Sequence, residues 1–338
     1  MEAAAKNSSN PRCPIDAPWT WSGRDQIGSN DWIWELTSAE VAELSRAGEQ
    51  ARRIDLDAMT VAAFPLPSLG RRLAAVEREL ATGRGFALLR GVPIADLTED
   101  EIATIYCGIG AHIGINVSQS ADGDRLGHVI DRGGTDRYYT RGGELEFHMD
   151  PVDVVGLLCL RSAVEGGASR IASALMVHNI VLDERPDILE FLYRGYHHSR
   201  RSHGDGRASH RVPVFAPGQT GIECYHLPIP VRLAAEEGFA LSAPEREALE
   251  FLDEVASRPG IYLDMNFDEG DVQFLNNRRM LHARTDYVDH PDPDRKRHLL
   301  RLWLVMPNWP PRADEMRFLE PGDRAGGGIR PRADPSPG

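Results

Sequence analysis

At 338 residues, with a formal net charge of −13 and a pI near 5.4, the chain is long enough to bury a substantial core and too acidic for a nucleic-acid surface, which would carry a basic stripe. No apolar run approaches the length of a bilayer span, and Met1-Glu2-Ala3-Ala4-Ala5-Lys6 has no apolar signal region. Cys13, Cys107, Cys159 and Cys224 have no paired spacing, so a reducing compartment and a soluble, cytoplasmic protein are expected, read as a single domain over residues 1–338.

Residues 1–17 are polar and proline-bearing and are expected to form a poorly ordered arm, after which Trp19, Trp21, Trp32 and Trp34 suggest docking onto the body. Thr37-Ser38-Ala39-Glu40 has capping-box spacing before Val41, Leu44 and Ala47. A second helix carries Leu69, Leu73, Val76 and Leu80 on one face and stops at Gly83-Arg84-Gly85. Phe86-Ala87-Leu88-Leu89 reads as a buried strand, and Thr98-Glu99-Asp100-Glu101 caps a third helix bearing Ile102, Ile105, Tyr106 and Ile109.

From about 113 the text turns to short strand-like runs separated by glycines, where a barrel is expected to begin. Helical spacing returns between Ser173 and Leu192, with Pro186 marking a break. Val212-Pro213-Val214-Phe215 and Ile222-Glu223-Cys224-Tyr225 read as strands, and Ser242-Ala243-Pro244-Glu245 opens a helix with Leu249, Leu252 and Val255 on its inner side. The last strands fall around 261–267, 271–276 and 297–306, and the Gly-, Pro- and Arg-rich tail over 320–338 lacks periodicity and is expected to be disordered. The pattern fits a β-rich α+β chain, although periodicity alone does not separate one β-rich fold from another.

Residues i and i+2 of a strand share a face, so His148 and Asp150 can offer an imidazole and a carboxylate to one metal while Met149 points away. A second histidine would complete a two-His-one-carboxylate face with three open positions. His-x-Asp occurs three times. His203-Gly204-Asp205 and His290-Pro291-Asp292 lie in loop-like stretches, whereas the His148 pair ends an apolar segment and precedes the strand-like Val154-Val155-Gly156-Leu157-Leu158-Cys159-Leu160. Downstream, His282 follows the strand-like Val272-Gln273-Phe274-Leu275, and Arg297 begins another such segment. On that segment residues 297, 299, 301 and 303 face one way and 298, 300, 302 and 304 the other; Leu300, Leu302 and Leu304 would pack against helices, turning Arg297 and Arg301 inward.

His-x-Asp, a distal His and an Arg shortly after, in that order over roughly residues 85–307, resemble the taurine dioxygenase/clavaminate synthase superfamily of Fe(II)- and 2-oxoglutarate-dependent oxygenases, and the pattern is most similar to clavaminate synthase-like amino-acid oxygenases. The resemblance implies a double-stranded β-helix (jelly-roll) core with N-terminal and inserted helices. It also implies Fe(II) held by His148, Asp150 and His282, with 2-oxoglutarate and O2 as co-substrates and succinate and CO2 as co-products. It gives the distal carboxylate of 2-oxoglutarate to Arg297, whose planar fork suits a carboxylate better than lysine would. Ser169 falls near where the family often places a threonine on the same carboxylate. Gln119, in Asn116-Val117-Ser118-Gln119-Ser120, matches a position that holds a substrate amino group, and is equally readable as a loop hydrogen-bonder. Arg301 is left for a second carboxylate, either the chelating end of the co-substrate or one on the substrate.

The expected reaction is hydroxylation of an unactivated C–H bond in an amino acid or a small amino-acid-like or carboxylate metabolite, with a place in secondary metabolism and no nucleic-acid or membrane partner. Two other classes use part of the same pattern. A zinc hydrolase would use the three ligands with a water, but it would not need Arg297 and would need a separate base. A non-catalytic jelly-roll binding protein would leave the ligand set unexplained. A halogenase is disfavoured because Asp150 fills the position that would have to be small and neutral to admit halide.

Overall fold

The computed structural model describes residues 13–133, 142–199, 208–317, 323 and 327–332. The expectations placed on 1–12, on His203-Gly204-Asp205 and on most of the tail therefore lie outside the described residues. Of the segments read as arm and tail, Ile15 is buried with its amide donating to Asn179 Oδ1 at 2.8 Å, and the Ile329 amide donates to the Ser118 carbonyl at 2.9 Å.

In chain order the strands are β1 (Ile33–Glu35), β2 (Phe86–Arg90), β3 (Ile115–Asn116), β4 (Gly127–Ile130), β5 (Leu145–His148) and β6 (Val154–Arg161). They continue as β7 (Glu165–Gly166), β8 (Ser169–Ser173), β9 (Tyr196–Ser199), β10 (Ala208–Val212), β11 (Phe215–Gly218) and β12 (Gly221–Cys224). The last five are β13 (Tyr262–Met265), β14 (Val272–Asn276), β15 (Met280–Arg284), β16 (Tyr287–Val288) and β17 (His298–Val305). The large sheet runs β1-β2-β14-β6-β17-β3, with β4 also on β17, and the small sheet runs β13-β8-β15-β5.

The two sheets face each other. Ser169 of the small sheet bonds Gln273 of the large one at 3.0 Å, and the pocket between them takes residues from both. Their outer faces carry the helices. Against the large sheet, Leu300, Leu302 and Leu304 of β17 pack with Leu69, Leu73, Val76 and Leu80 of the helix Leu69–Thr82 and with Ile102, Ile105, Tyr106 and Ile109 of the helix Glu99–Ala111. The latter is started by Thr98, whose hydroxyl accepts from the Glu101 amide while Glu101 accepts from the Thr98 amide, the reciprocal cap that its spacing predicts. Against the small sheet pack the helices Ala174–Glu184, Pro186–Arg194 and Ala243–Ala256, and Pro186 does separate the first two.

Two expectations change. Val212-Pro213-Val214-Phe215 is not one strand: β10 ends at Val212 and β11 starts at Phe215, because Pro213 has no N–H to give a ladder. The large sheet also begins well before residue 113, with β1 and β2 at its edge. Of the four tryptophans, Trp21 is buried and meets Phe86 edge to face with centroids 5.0 Å apart.

Candidate metal centre and co-substrate pocket

The small sheet places the two histidines by register. β15 pairs antiparallel with β5 so that His282 lies opposite His148, and their ring centroids are 4.2 Å apart. β5 ends at His148, and the chain continues through Met149, whose side chain enters the helix-side core, to Asp150, whose carboxylate meets Arg301 and Trp303 of β17. One donor atom from each of His148, Asp150 and His282 lies within 4.8 Å of the other two, and all three residues are buried. His282 Nε2 is 4.0 Å from Asp150 Oδ2.

The surroundings set the charge of each donor. His148 Nδ1 pairs with the Glu146 carbonyl at 2.9 Å, which fixes the tautomer and turns Nε2 towards the other donors. Burial lowers the His148 pKa, partly opposed by Asp150, and burial followed by the charge of His148 takes His282 down to about 3, so both rings are neutral and carry lone pairs at neutral pH. Burial works to raise Asp150, but Arg301, His282, His148 and the Trp303 indole outweigh it and keep the carboxyl below its ordinary range. Arg301 Nη1 reaches Asp150 Oδ2 at 3.2 Å and Trp303 Nε1 donates to the same oxygen at 2.8 Å. The backbone of the turn is pinned as well: Asn277 Oδ1 accepts from the Asp150 amide at 3.2 Å, and its Nδ2 donates to the Asp150 and Val152 carbonyls. Two neutral imidazoles and one buried carboxylate, oriented before any ligand arrives, fit a divalent first-row metal with open positions. His282 Nδ1 is a buried nitrogen without a hydrogen-bond partner among the described residues.

The adjoining pocket is lined by Val129, Leu145, Val155, Leu157, Ser169, Phe267, Leu299, Arg284, Arg297 and Arg301, together with the two histidines. As the strand period predicts, Arg297, Leu299 and Arg301 of this segment face the pocket and Trp303 reaches Asp150, while Leu300, Leu302 and Leu304 face the helices. Arg297 is 5 % exposed; its Nη2 donates to the Gly167 carbonyl at 3.1 Å, and among the described residues it makes no ion pair. Burial, followed by the charge of Arg284, pushes its pKa down to about 10, so it remains a cation at neutral pH.

Ser169 lines the same pocket and donates its hydroxyl to Gln273. Gln119 is not presented to the pocket. Its Oε1 accepts from Arg301 Nε at 2.8 Å, and its Nε2 donates to the Arg301 carbonyl at 2.8 Å and the Arg125 carbonyl at 3.1 Å, so its amide braces Arg301. His290 and Asp292 form a loop in which the Asp292 amide donates to His290 Nδ1 at 3.1 Å, and among the described residues they belong to no three-donor set.

Sequence reasoning passed over Arg284, Tyr287 and Asn277. Arg284 could have been found, since it stands two residues beyond His282 on the same strand and hence the same face. Tyr287 and Asn277 act through register and turn geometry that no local spacing encodes. A second proximal set, Glu99, His128 and His298, also surfaces among the described residues. There His128 Nδ1 and His298 Nε2 are hydrogen-bonded to each other at 2.9 Å, and Arg161 Nη2 lies 3.1 Å from His298 Nδ1.

Residues 52–303, well over half of the chain, match the taurine catabolism dioxygenase TauD, TfdA family. The chain belongs to this family. It is thus a 2-oxoglutarate-dependent dioxygenase, with Fe(II), 2-oxoglutarate and O2 as its cofactor and co-substrates. It is 32% identical over 316 residues to the FR-33289 synthase of Streptomyces rubellomurinus (strain ATCC 31215), a match covering 87% of this chain and 91% of the relative. It is 28% identical over 303 residues to the taurine hydroxylase-like protein SAT17 of Stachybotrys chartarum (strain CBS 109288 / IBT 7711), covering 83% and 77%. Among solved structures, asparagine oxygenase in complex with Fe(II), 2S,3S-3-hydroxyasparagine and succinate shares the fold, with a TM-score of 0.67 at 18% identity, over 89% of this chain and 100% of that one. The non-heme iron oxygenase OrfP in complex with Fe and alpha-ketoglutaric acid shares it with a TM-score of 0.60 at 15% identity, over 81% and 93%. No helix among the described residues is long and apolar enough to cross a membrane.

Proposed function

We propose that this dioxygenase hydroxylates an unactivated C–H bond of an amino acid, or of a small amino-acid-like or carboxylate metabolite, releasing succinate and CO2. The single observation that carries the reading is the buried His148, Asp150 and His282 set opening onto a pocket with Arg297 at its arm end. In this reading His148, Asp150 and His282 hold Fe(II), and the two facing sheets form a double-stranded β-helix around it. Bound Fe(II), with 2-oxoglutarate and O2, supplies the oxidising power, and the protein supplies ligation, orientation and a dry cavity.

The roles of the chain's own groups follow from charge. Arg297 receives the distal carboxylate of 2-oxoglutarate, with Ser169 beside it. Arg301 balances Asp150 and so orients that carboxylate, and as a pocket-lining cation it draws a carboxylate on the pocket side, either the chelating end of 2-oxoglutarate or one on the substrate. Gln119 acts on either ligand through Arg301. Asparagine oxygenase and the OrfP complex with (3S)-hydroxy-L-Arg support an amino-acid-like head on the substrate, as proteins of the same fold named for such ligands. Reduced thiols at Cys107, Cys159 and Cys224 support a cytoplasmic location.

The test is a mass-spectrometric screen of amino acids and small carboxylates with 2-oxoglutarate, Fe(II) and O2, looking for succinate coupled to a product heavier by one oxygen. Oxygen consumption is then compared between each active amino acid and its decarboxylated amine. Equal stimulation by both would remove substrate-carboxylate recognition from Arg301.

A further inference from the structure

Arg297 is a buried cation at the arm end of the pocket, and it is held differently from Arg301. Arg301 has a carboxylate, Asp150, at 3.2 Å. The Asp289 carboxylate spends Oδ1 on the Arg297 backbone amide at 2.6 Å. The guanidinium instead lies over a ring: Arg297 Cζ is 5.4 Å from the centroid of Tyr287, and Arg284 Cζ is 4.9 Å from the same centroid. Backbone meets the edge of the guanidinium. Arg297 Nη2 donates to the Gly167 carbonyl, and a Cβ built on Gly167 would meet Arg297 Nε at 2.9 Å and Tyr287 Cβ at 3.3 Å. Gly167 also has φ +71°, a conformation that side chains rarely adopt. The short pairing of β16 with β7, Tyr287 opposite Gly166, brings ring and glycines together.

We propose that Tyr287 is the positioning residue of the co-substrate arm, its ring and the Gly167 backbone forming a slot that fixes the Arg297 guanidinium for the distal carboxylate of a 2-oxo dicarboxylic acid. The inference rests on the reading of Arg297 given above. Its physical basis is a distinction between two ways of stabilising a buried cation. A carboxylate partner would neutralise Arg297 and compete with the incoming carboxylate. An aromatic face attracts the cation through its quadrupole, takes none of its N–H donors and adds no charge, so the full positive charge stays available to the ligand.

The experiment uses the full chain loaded with redox-inert Mn(II) and measures binding by calorimetry. The ligands are 2-oxoglutarate and 2-oxopentanoate, which keeps the chelating end and lacks the distal carboxylate. Tyr287→Leu, and Tyr287→Met as a ring-free variant of different shape, are expected to weaken 2-oxoglutarate about tenfold while leaving 2-oxopentanoate unchanged. Tyr287→Phe, which keeps the ring, is expected to stay within about twofold of the parent. Unchanged 2-oxoglutarate binding in both ring-free variants, an equal loss for both ligands, or a loss in Tyr287→Phe as large as in Tyr287→Leu each overturns the proposal. Arg297→Met separates it from the reading beneath it. If that variant binds 2-oxoglutarate normally, the co-substrate assignment fails; if it loses binding while Tyr287→Leu does not, only the slot fails.

Discussion

His148 and His282 face each other across two strands of the small sheet, as His128 and His298 do across two strands of the large one. In both pairs one histidine is pushed well down by burial, His282 to about 3 and His298 to about 4, and in both a carboxylate completes a three-donor set within 4.8 Å. They differ in where the lone pairs point and in what balances the charge. His148 spends Nδ1 on a backbone carbonyl and keeps Nε2 for the site, and the carboxylate beside it is buried. His128 and His298 spend their facing nitrogens on each other, the guanidinium of Arg161 fills the next position, and Glu99 is half-exposed. Proximity of donors is therefore a poor criterion for a metal site. Unspent imidazole lone pairs beside a buried carboxylate discriminate better.

The largest expected effect breaks the comparison on the side of the small sheet. His148→Ala, Asp150→Ala and His282→Ala are each expected to abolish iron-dependent 2-oxoglutarate turnover and to lose the bound metal, with circular dichroism unchanged. His128→Ala and His298→Ala are expected to keep one metal per chain. Metal analysis after dialysis decides; full occupancy and turnover in Asp150→Ala would sink the ligand assignment.

Next in size is the arginine that precedes His298 and points to the opposite face. Arg297→Ala removes the cation proposed to receive the distal carboxylate, and is expected to cost roughly 2–5 kcal/mol in 2-oxoglutarate binding. Saturation with 2-oxoglutarate, followed through succinate release, measures it. If Arg301→Ala raised the requirement and Arg297→Ala did not, the two arginines would have to exchange roles.

How far the sequence reached follows the same line between local and non-local information. The strand period assigned His148 and Asp150 to one face and turned Arg297 and Arg301 inward, because a two-residue repeat is a property of the backbone alone. Capping boxes at Thr37 and Thr98 located two helix starts for the same reason. Gln119 shows the limit. Its offset from His148 left a ligand contact and a hydrogen-bonder role equally open, because a spacing carries no information on what the fold places opposite, and the fold places Arg301 there, 182 positions away. Tyr287 was unreadable for a related reason: its importance comes from lying over Arg297 and Arg284, through a pairing with Gly166 that spans a long insertion.

A third expectation concerns acidification. Burial is the main cause of the low pKa of His298, near 4; His128 on β4, Arg161 on β6 and Arg132 oppose its protonation, while Glu99 on the packed helix favours it. Above about pH 6.5 the ring is neutral in folded and unfolded chains alike and contributes no pH dependence. As pH falls from about 6.5 towards 4, the unfolded chain takes up a proton that the folded one refuses, so stability falls, by about 3 kcal/mol if the effect is fully expressed. His178, also lowered to about 4 by burial, adds a contribution of the same sign. Urea unfolding of the metal-free protein across this window measures the loss, and His298→Gln is expected to flatten part of the slope; an unchanged slope would mean that burial does not hold the folded His298 ring neutral in this window.

The smallest effect sharpens the comparison most, because it isolates the carboxylate. Glu99 lies 3.5 Å from His298 Nδ1 and 3.7 Å from Arg161 Nη2, with its side chain 51% exposed. An exposed ion pair of this kind is worth about 0–1 kcal/mol, since water screens it and two long side chains must be ordered to make it. Glu99→Gln is accordingly expected to change stability by less than about 1 kcal/mol at pH 7 and to leave metal content at one per chain. Because Glu99 favours the protonated ring, its removal is expected to move the His298 titration to lower pH, which nuclear magnetic resonance of the ring protons would record. Were Glu99 a ligand instead, the same substitution would release a second metal equivalent, and the contrast drawn between the two histidine pairs would collapse.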